Sequence, residues 1–378
     1  MDAAPTPPTP QDLRPPRYET LDAWRGIACL MVVGFHAAGA ALDASHRSWP
    51  FEPLWWLERD AWLGVQIFFV VSGYSIASSA ASSGPRGAPG ARAGFLRRRF
   101  RRIFPTYWCA MVLVVAWGLV GRGLAAAGVP NTIDDETRIG WHWVTNLLLV
   151  EAPLATFGIP PRYGCGVIWS LCFEVQFYAF TALAIVARSR RTVVASVLGL
   201  SVATVLVRAL PGLRPHGFLL DVWLEFAAGL WLFARLALRH AGRPTRGLDL
   251  AFAAAVAANV LAWRVGSGRL GTDGENVLFC AAVAAALLYL HPYDARLTQW
   301  IPVRVLRWVG DRSYSVYLLH LPVVRSLVPA LRGIGLTRGA WAYGAVAAAA
   351  AASVGVATVF HAAVERRFLR PKAAAAPA

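Results

Sequence analysis

Lysine is almost missing from this chain: Lys372 is the only one, and arginine supplies the rest of the 37 basic residues. Charge of either sign is scarce, at 15% of positions, where a soluble globular chain carries roughly a quarter. Cysteine is sparse too. Cys29, Cys109, Cys165, Cys172 and Cys280 show no Cys-x-x-Cys spacing and mostly sit inside apolar runs, where cysteine acts as a small hydrophobe. That pattern predicts neither a disulfide framework nor a metal site. The opening "MDAAPTPPTPQDLRPP" lacks a positive stretch joined to an apolar one and contains Asp2 and Asp12. Residues 1–17 therefore read as a disordered, Pro-rich leader and not as a signal peptide. The sequence shows no internal repeat, and no appended soluble domain is expected. The formal charge of +16 is spread along the flanks of apolar segments and is not interleaved with aromatics, which argues against nucleic acid.

What the chain has instead is grease. It is 57% hydrophobic, with a mean hydropathy of +0.47. A membrane-spanning helix needs about 20 apolar residues, and ten stretches are candidates, eight at about that length and two somewhat shorter: 24–42, 61–80, 104–124, 167–187, 192–210, 218–238, 248–263, 276–290, 313–330 and 341–364. Two shorter tryptophan-rich stretches, "WHWVTNLLLV" and "WIPVRVLRWV", read as interfacial or re-entrant segments. With the N-terminus inside, alternation of ten spans puts about two thirds of the arginine and lysine on the cytoplasmic side. The first outside loops then hold acidic groups, among them Asp43, Glu52, Glu58 and Asp60, then Asp134, Asp135, Glu136 and Glu151. The expected architecture is all-α: a polytopic bundle of about ten transmembrane helices with both termini cytoplasmic. It comprises a membrane domain over 18–368 and a cytoplasmic tail over 369–378.

An ionisable residue inside a span costs a few kcal/mol and normally faces a cavity or a partner. His36 lies well inside the first span, and Glu174 inside the fourth, in "WSLCFEVQFYAF". The "SGYS" of the second span, with Ser72, and the "YLLH" of the ninth, with Tyr317 and His320, also fall near mid-membrane. Four helices are thus expected to bring polar groups to one level. Each group also has a bland explanation. A histidine can be a satisfied packing residue, Ser72 and Gly73 can permit close helix approach, and Trp169 can be an interfacial anchor. The loop "FLRRRFRRIFPTYW" can be a topology signal that meets lipid headgroups. It also offers Arg98 or Arg99, together with Arg102, on one helix face. Paired guanidiniums suit a phosphate-rich ligand, and Pro105 can kink the entry to the third span.

Taken in order, "LDAWRGIACLMVVGFHAAG", "GVQIFFVVSGYSI", "RRFRRIFPTYW", "WSLCFEVQFYAF", "GDRSYSVYLLHLPV" and "VERRF" resemble the membrane-bound acyltransferase 3 family from Tyr18 to Phe368. The resemblance implies transfer of an acetyl or longer acyl group from cytoplasmic acyl-coenzyme A to a hydroxyl of a carbohydrate or glycolipid acceptor. It implies a bacterial inner-membrane location, and acyl-coenzyme A as co-substrate with no permanently bound cofactor. It also implies that His36 is the catalytic group. Arg25 matches the arginine before it, Arg98 or Arg99 and Arg102 match the paired arginines, and Trp169 and Glu174 match the fourth motif. On the combined reading, Arg25, Arg98, Arg99 and Arg102 hold the donor while His36 deprotonates the acceptor. Glu174 charge-balances His36 or binds the sugar. Ser72, Trp169, Tyr178, Tyr317 and His320 line the site. The competing class is a transporter or flippase without covalent chemistry, which also keeps polar groups at mid-membrane.

Overall fold

The computed structural model describes residues 18–43, 50–83, 88–128, 139–187, 190–210, 216–267 and 272–369. The Pro-rich leader, the tail past 369, Lys372, and the acidic group Asp134, Asp135 and Glu136 lie outside the described residues. Within them every regular element is helical. The first half of the chain forms α1 (Leu21–Ala41), α2 (Glu52–Asp60), α3 (Gly64–Ala81), α4 (Ala91–Ala126), α5 (His142–Leu147), α6 (Trp169–Val186) and α7 (Arg190–Ala209). The second half forms α8 (Trp223–His240), α9 (Arg246–Ser267), α10 (Thr272–Leu290), α11 (Asp294–Leu297), α12 (Ile301–Gly310), α13 (Ser313–Gly333), α14 (Trp341–Phe360) and α15 (Arg366–Phe368).

Among the described residues, nine helical segments are long and apolar enough to cross a membrane. The tenth expected span corresponds to α8, which forms but carries Glu225, Arg235 and Arg239 within 18 residues. Glu225 is buried at the start of α8 among Trp223, Leu224 and Phe226, Arg235 pairs with Asp249 of α9 at 2.8 Å, and Arg239 is exposed in the last turn. Arg208 of α7 donates to Asn259 Oδ1 of α9 at 2.6 Å and reaches Glu225 Oε1 at 3.5 Å, tying three helices through one guanidinium. None of the five cysteines forms a disulfide, and four of them are buried.

The arginine run departs from expectation. The sequence reads "FLRRRFRR" as a loop before a span at 104–124, but the segment is the first part of α4, a single 36-residue helix. Arginine is a good helix former. Pro105 lies inside that helix without ending it. At 1.5 Å per residue α4 is about 54 Å long, well beyond a hydrocarbon core of about 30 Å. It therefore cannot lie wholly within the apolar zone along its own axis.

Small residues set the closest helix crossings. A Cβ on Gly310 of α12 would sit 1.6 Å from the Asp22 carbonyl oxygen of α1, and one on Gly229 of α8 would sit 2.0 Å from that of Val70 in α3. Only glycine lets these backbones meet. Next to α1, α13 runs parallel and in register. The Cys29 thiol lies 3.8 Å from the Ser313 carbonyl oxygen. Seven residues further on in both helices, His36 meets His320.

Candidate active site

The polar groups fall into two tiers along α1. The lower tier forms around Arg25, whose Nη1 donates to Asp22 Oδ1 at 2.5 Å and whose Nη2 donates to Ser75 Oγ at 2.7 Å. The carbonyl of the same Ser75 accepts from Arg99 Nη2 at 3.2 Å. The Arg99 guanidinium lies over the rings of Tyr178 and Phe95, at 5.4 and 5.6 Å, and its Nε is buried without a partner among the described residues. Tyr178 donates to Glu174 Oε1 at 2.5 Å. Arg102 and Glu174 lie within electrostatic reach of both Arg25 and Arg99. The tier thus holds three guanidiniums and two carboxylates, Asp22 and Glu174, contributed by α1, α4 and α6 and joined through Ser75 of α3. Arg102 is exposed, as a group meeting an incoming anion must be. Arg98 turns away to donate to Ser83 Oγ at 2.5 Å. Of the alternatives left open by the sequence, it is Arg99 and Arg102 that share the site.

Eleven residues along α1, about 16 Å at helical rise, lies the upper tier. The half-buried His36 ring stands 5.3 Å from that of His320, centroid to centroid, with planes at 42°. Phe35 meets it edge-on. Arg325 is within electrostatic reach of both imidazoles. One turn back on α13, Tyr317 donates to the Val167 carbonyl at 2.6 Å and pairs with Ser170 Oγ at 2.7 Å, which fixes the mouth of α6 against α13. Trp169 packs edge-on against Phe69 and Phe173.

This arrangement corrects the expected single level. The mouth of α6 sits beside Tyr317, three residues short of His320, and α6 runs from there toward the arginines. Glu174 therefore lies about 10 Å along the bundle from His36. Tyr178 donates to it, and Arg25, Arg99, Tyr314 and Tyr317 lie within its electrostatic reach; among the described residues it makes no hydrogen bond to His36. Ser72 is half-buried on α3, one turn from Ser75. Ser75, in the same "SGYS" motif, makes the contacts in place of the Ser72 singled out from the sequence.

A feature that sequence reasoning missed lies in the connection between α4 and α6. Glu151, fully buried, accepts from the Arg162 backbone N–H at 2.8 Å and pairs with His142 Nδ1 at 2.6 Å. Thr145 and Asn146 also donate to it. The carboxylate expected in an acidic outside loop is thus the internal clip of the α4–α6 connection. That connection delivers Val167 to Tyr317. Its signal was the His-x-x-Thr-Asn spacing on α5 ahead of a lone glutamate.

Comparison with known proteins bears on the whole of this framework. Three relatives are BcsY of Komagataeibacter xylinus (29% identical over 84% of this chain and 78% of that protein), the peptidoglycan O-acetyltransferase OatA of Listeria monocytogenes (23% over 82% and 50%) and the O-acetyl transferase of Shigella phage Sf6 (25% over 82% and 86%). The chain spans about half the length of OatA. No solved structure gives a significant match. The acyltransferase domain model matches residues 18–360, which takes in both tiers and every helix that builds them, and the chain belongs to that acyltransferase family.

Proposed function

We propose that the chain is an integral-membrane O-acyltransferase that moves an acyl group, acetyl in the simplest case, from acyl-coenzyme A to a hydroxyl of a cell-envelope carbohydrate. The observation that carries this reading is the pair of tiers: a cluster of guanidiniums at one end of α1 and an imidazole pair about 16 Å along it. Coenzyme A has the matching form, with phosphates at one end, a thioester at the other and a slender arm between them. Arg25, Arg99 and Arg102 bind the phosphates through paired, charge-assisted hydrogen bonds. The arm lies along α1, past Glu174 and Tyr178, and brings the thioester to His36.

At the upper tier neutral His36 takes the proton of the acceptor hydroxyl as the oxygen attacks the thioester carbonyl carbon. The tetrahedral intermediate collapses with cleavage of the C–S bond. The leaving thiolate takes the proton back from the imidazolium, so that ester, free thiol and neutral histidine result. The names of OatA and the phage enzyme favour an acetyl group and, in OatA, a glycan acceptor. The same polar groups inside a transporter would call for a solute path without chemistry, and membership of an acyltransferase family favours transfer.

His36→Ala is expected to lower acyl transfer by about 10²-fold or more, measured as thiol release from acetyl-coenzyme A in proteoliposomes with a carbohydrate acceptor. The variant should elute as folded protein on size exclusion. Retention of normal turnover by folded His36→Ala would reject the general-base role.

A further inference from the structure

We propose that His320 is the positioning residue of His36, taking the ring N–H of the catalytic imidazole as a buried carboxylate does in other hydrolytic and acyl-transfer sites. The inference rests on the reading of His36 as the base and adds a partner for it. The tautomer of His320 follows from its surroundings. Its Nδ1 lies 2.9 Å from the Tyr317 carbonyl oxygen and 3.1 Å from that of Val316. A carbonyl can only accept, so Nδ1 carries the proton and Nε2 holds a lone pair. The side chain is fully buried, and Nε2 has no hydrogen-bond partner among the described residues. A buried acceptor left empty costs about 1–3 kcal/mol and calls for an explanation.

The explanation stands next to it. Ring centroids 5.3 Å apart let a nitrogen of one imidazole, turned toward the other, come to about 3 Å of its partner nitrogen. Among the described residues, neither ring nitrogen of His36 is otherwise hydrogen-bonded. An N–H of His36 donated to His320 Nε2 satisfies both rings at once. It also leaves the second nitrogen of His36 as the lone pair that faces the acceptor hydroxyl. Other groups near His36 cannot take this part. Glu174 is a tier away, engaged by Tyr178. Arg325, within electrostatic reach, has donors only. The Tyr317 hydroxyl is committed to Val167 and Ser170. When His36 gains the proton, the same hydrogen bond becomes charge-assisted and strengthens as charge develops. His320 then acts through His36 and need not touch the substrate.

Three variants separate this role from simple packing. His320→Gln keeps an acceptor oxygen near the position of Nε2. His320→Asn keeps only a donor near Nδ1, and His320→Leu keeps bulk alone. Steady-state transfer in proteoliposomes, with donor and acceptor varied in turn, should show kcat lowered about 10²-fold in the Leu and Asn variants. The KM for the donor should change little, and Gln should recover most of kcat. Folded His320→Leu with wild-type kcat, equal losses for Gln and Leu, or a loss confined to donor KM would each overturn the assignment. His36→Ala run in parallel keeps two failures apart. If it is inactive while His320→Leu is normal, only the positioning role falls. If it stays active, the general-base reading falls with it.

Discussion

Ser75 shows how one small side chain organises the arginine tier. Its hydroxyl accepts from Arg25 and its carbonyl accepts from Arg99, so two like charges are held together by a neutral group. Which serine of "SGYS" does this was not legible in the sequence. Residues 72 and 75 lie three apart and share a helix face, so periodicity treats them alike. The depth of α6 was equally hidden. Counting residues from an expected helix start placed Glu174 level with His36, but tertiary contacts at Ser170 and Tyr317 set the depth. The Arg99 guanidinium stacks over Tyr178 and Phe95 as well as donating, and lysine can copy neither the plane nor the fork. Arg99→Lys is therefore expected to raise the KM for acetyl-coenzyme A by about tenfold or more, the loss of one charge-assisted hydrogen bond being worth about 1.5–3 kcal/mol. The kcat should move far less. Initial rates against donor concentration test this. An unchanged KM would make Arg99 a structural stack and not a donor ligand.

Among the elements, α3 depends on its contact with α8. Gly73 and Gly229 face each other so closely that a Cβ on Gly73 would lie 2.2 Å from the Phe226 carbonyl oxygen. Ser75 is two residues from that crossing, so the crossing helps to set where the arginine tier forms. Gly229→Val forces the backbones apart at a cost of about 1–3 kcal/mol from overpacking. A lowered melting temperature in detergent and a raised donor KM are expected together, because the same displacement draws Ser75 away from Arg25 and Arg99. A variant with wild-type melting and donor KM would show that the crossing does not support the tier. Spans, order and helix identity were readable because lipid demands long apolar runs. That the arginine run continues unbroken into α4 was not, although its spacing allowed a shared helix face, since a run of arginines carries no apolar period to distinguish helix from loop.

Across the whole molecule, the distribution of charge and the length of α4 favour one orientation. About 24 Å of α4 exceeds the hydrocarbon thickness, and the arginines Arg97, Arg98, Arg99, Arg101 and Arg102 all lie in its first twelve residues. By the positive-inside rule that end is expected in the cytoplasm. The arginine tier would then open where coenzyme A is made, and the histidine tier would lie nearer the opposite face, beneath the connection clipped by Glu151. Two exposed positions report on this arrangement: Ser82, just past the end of α3, and Phe157, in the short 3-10 turn that follows Glu151. Single-cysteine probes at these sites, in a chain stripped of its native cysteines but still active, should respond differently to a membrane-impermeant maleimide. Phe157→Cys should label in intact cells, and Ser82→Cys only after the membrane is opened. The reverse pattern would turn the guanidinium cluster toward the cell exterior. A cytoplasmic thioester could not reach it there, and the donor assignment would fail even with both tiers intact.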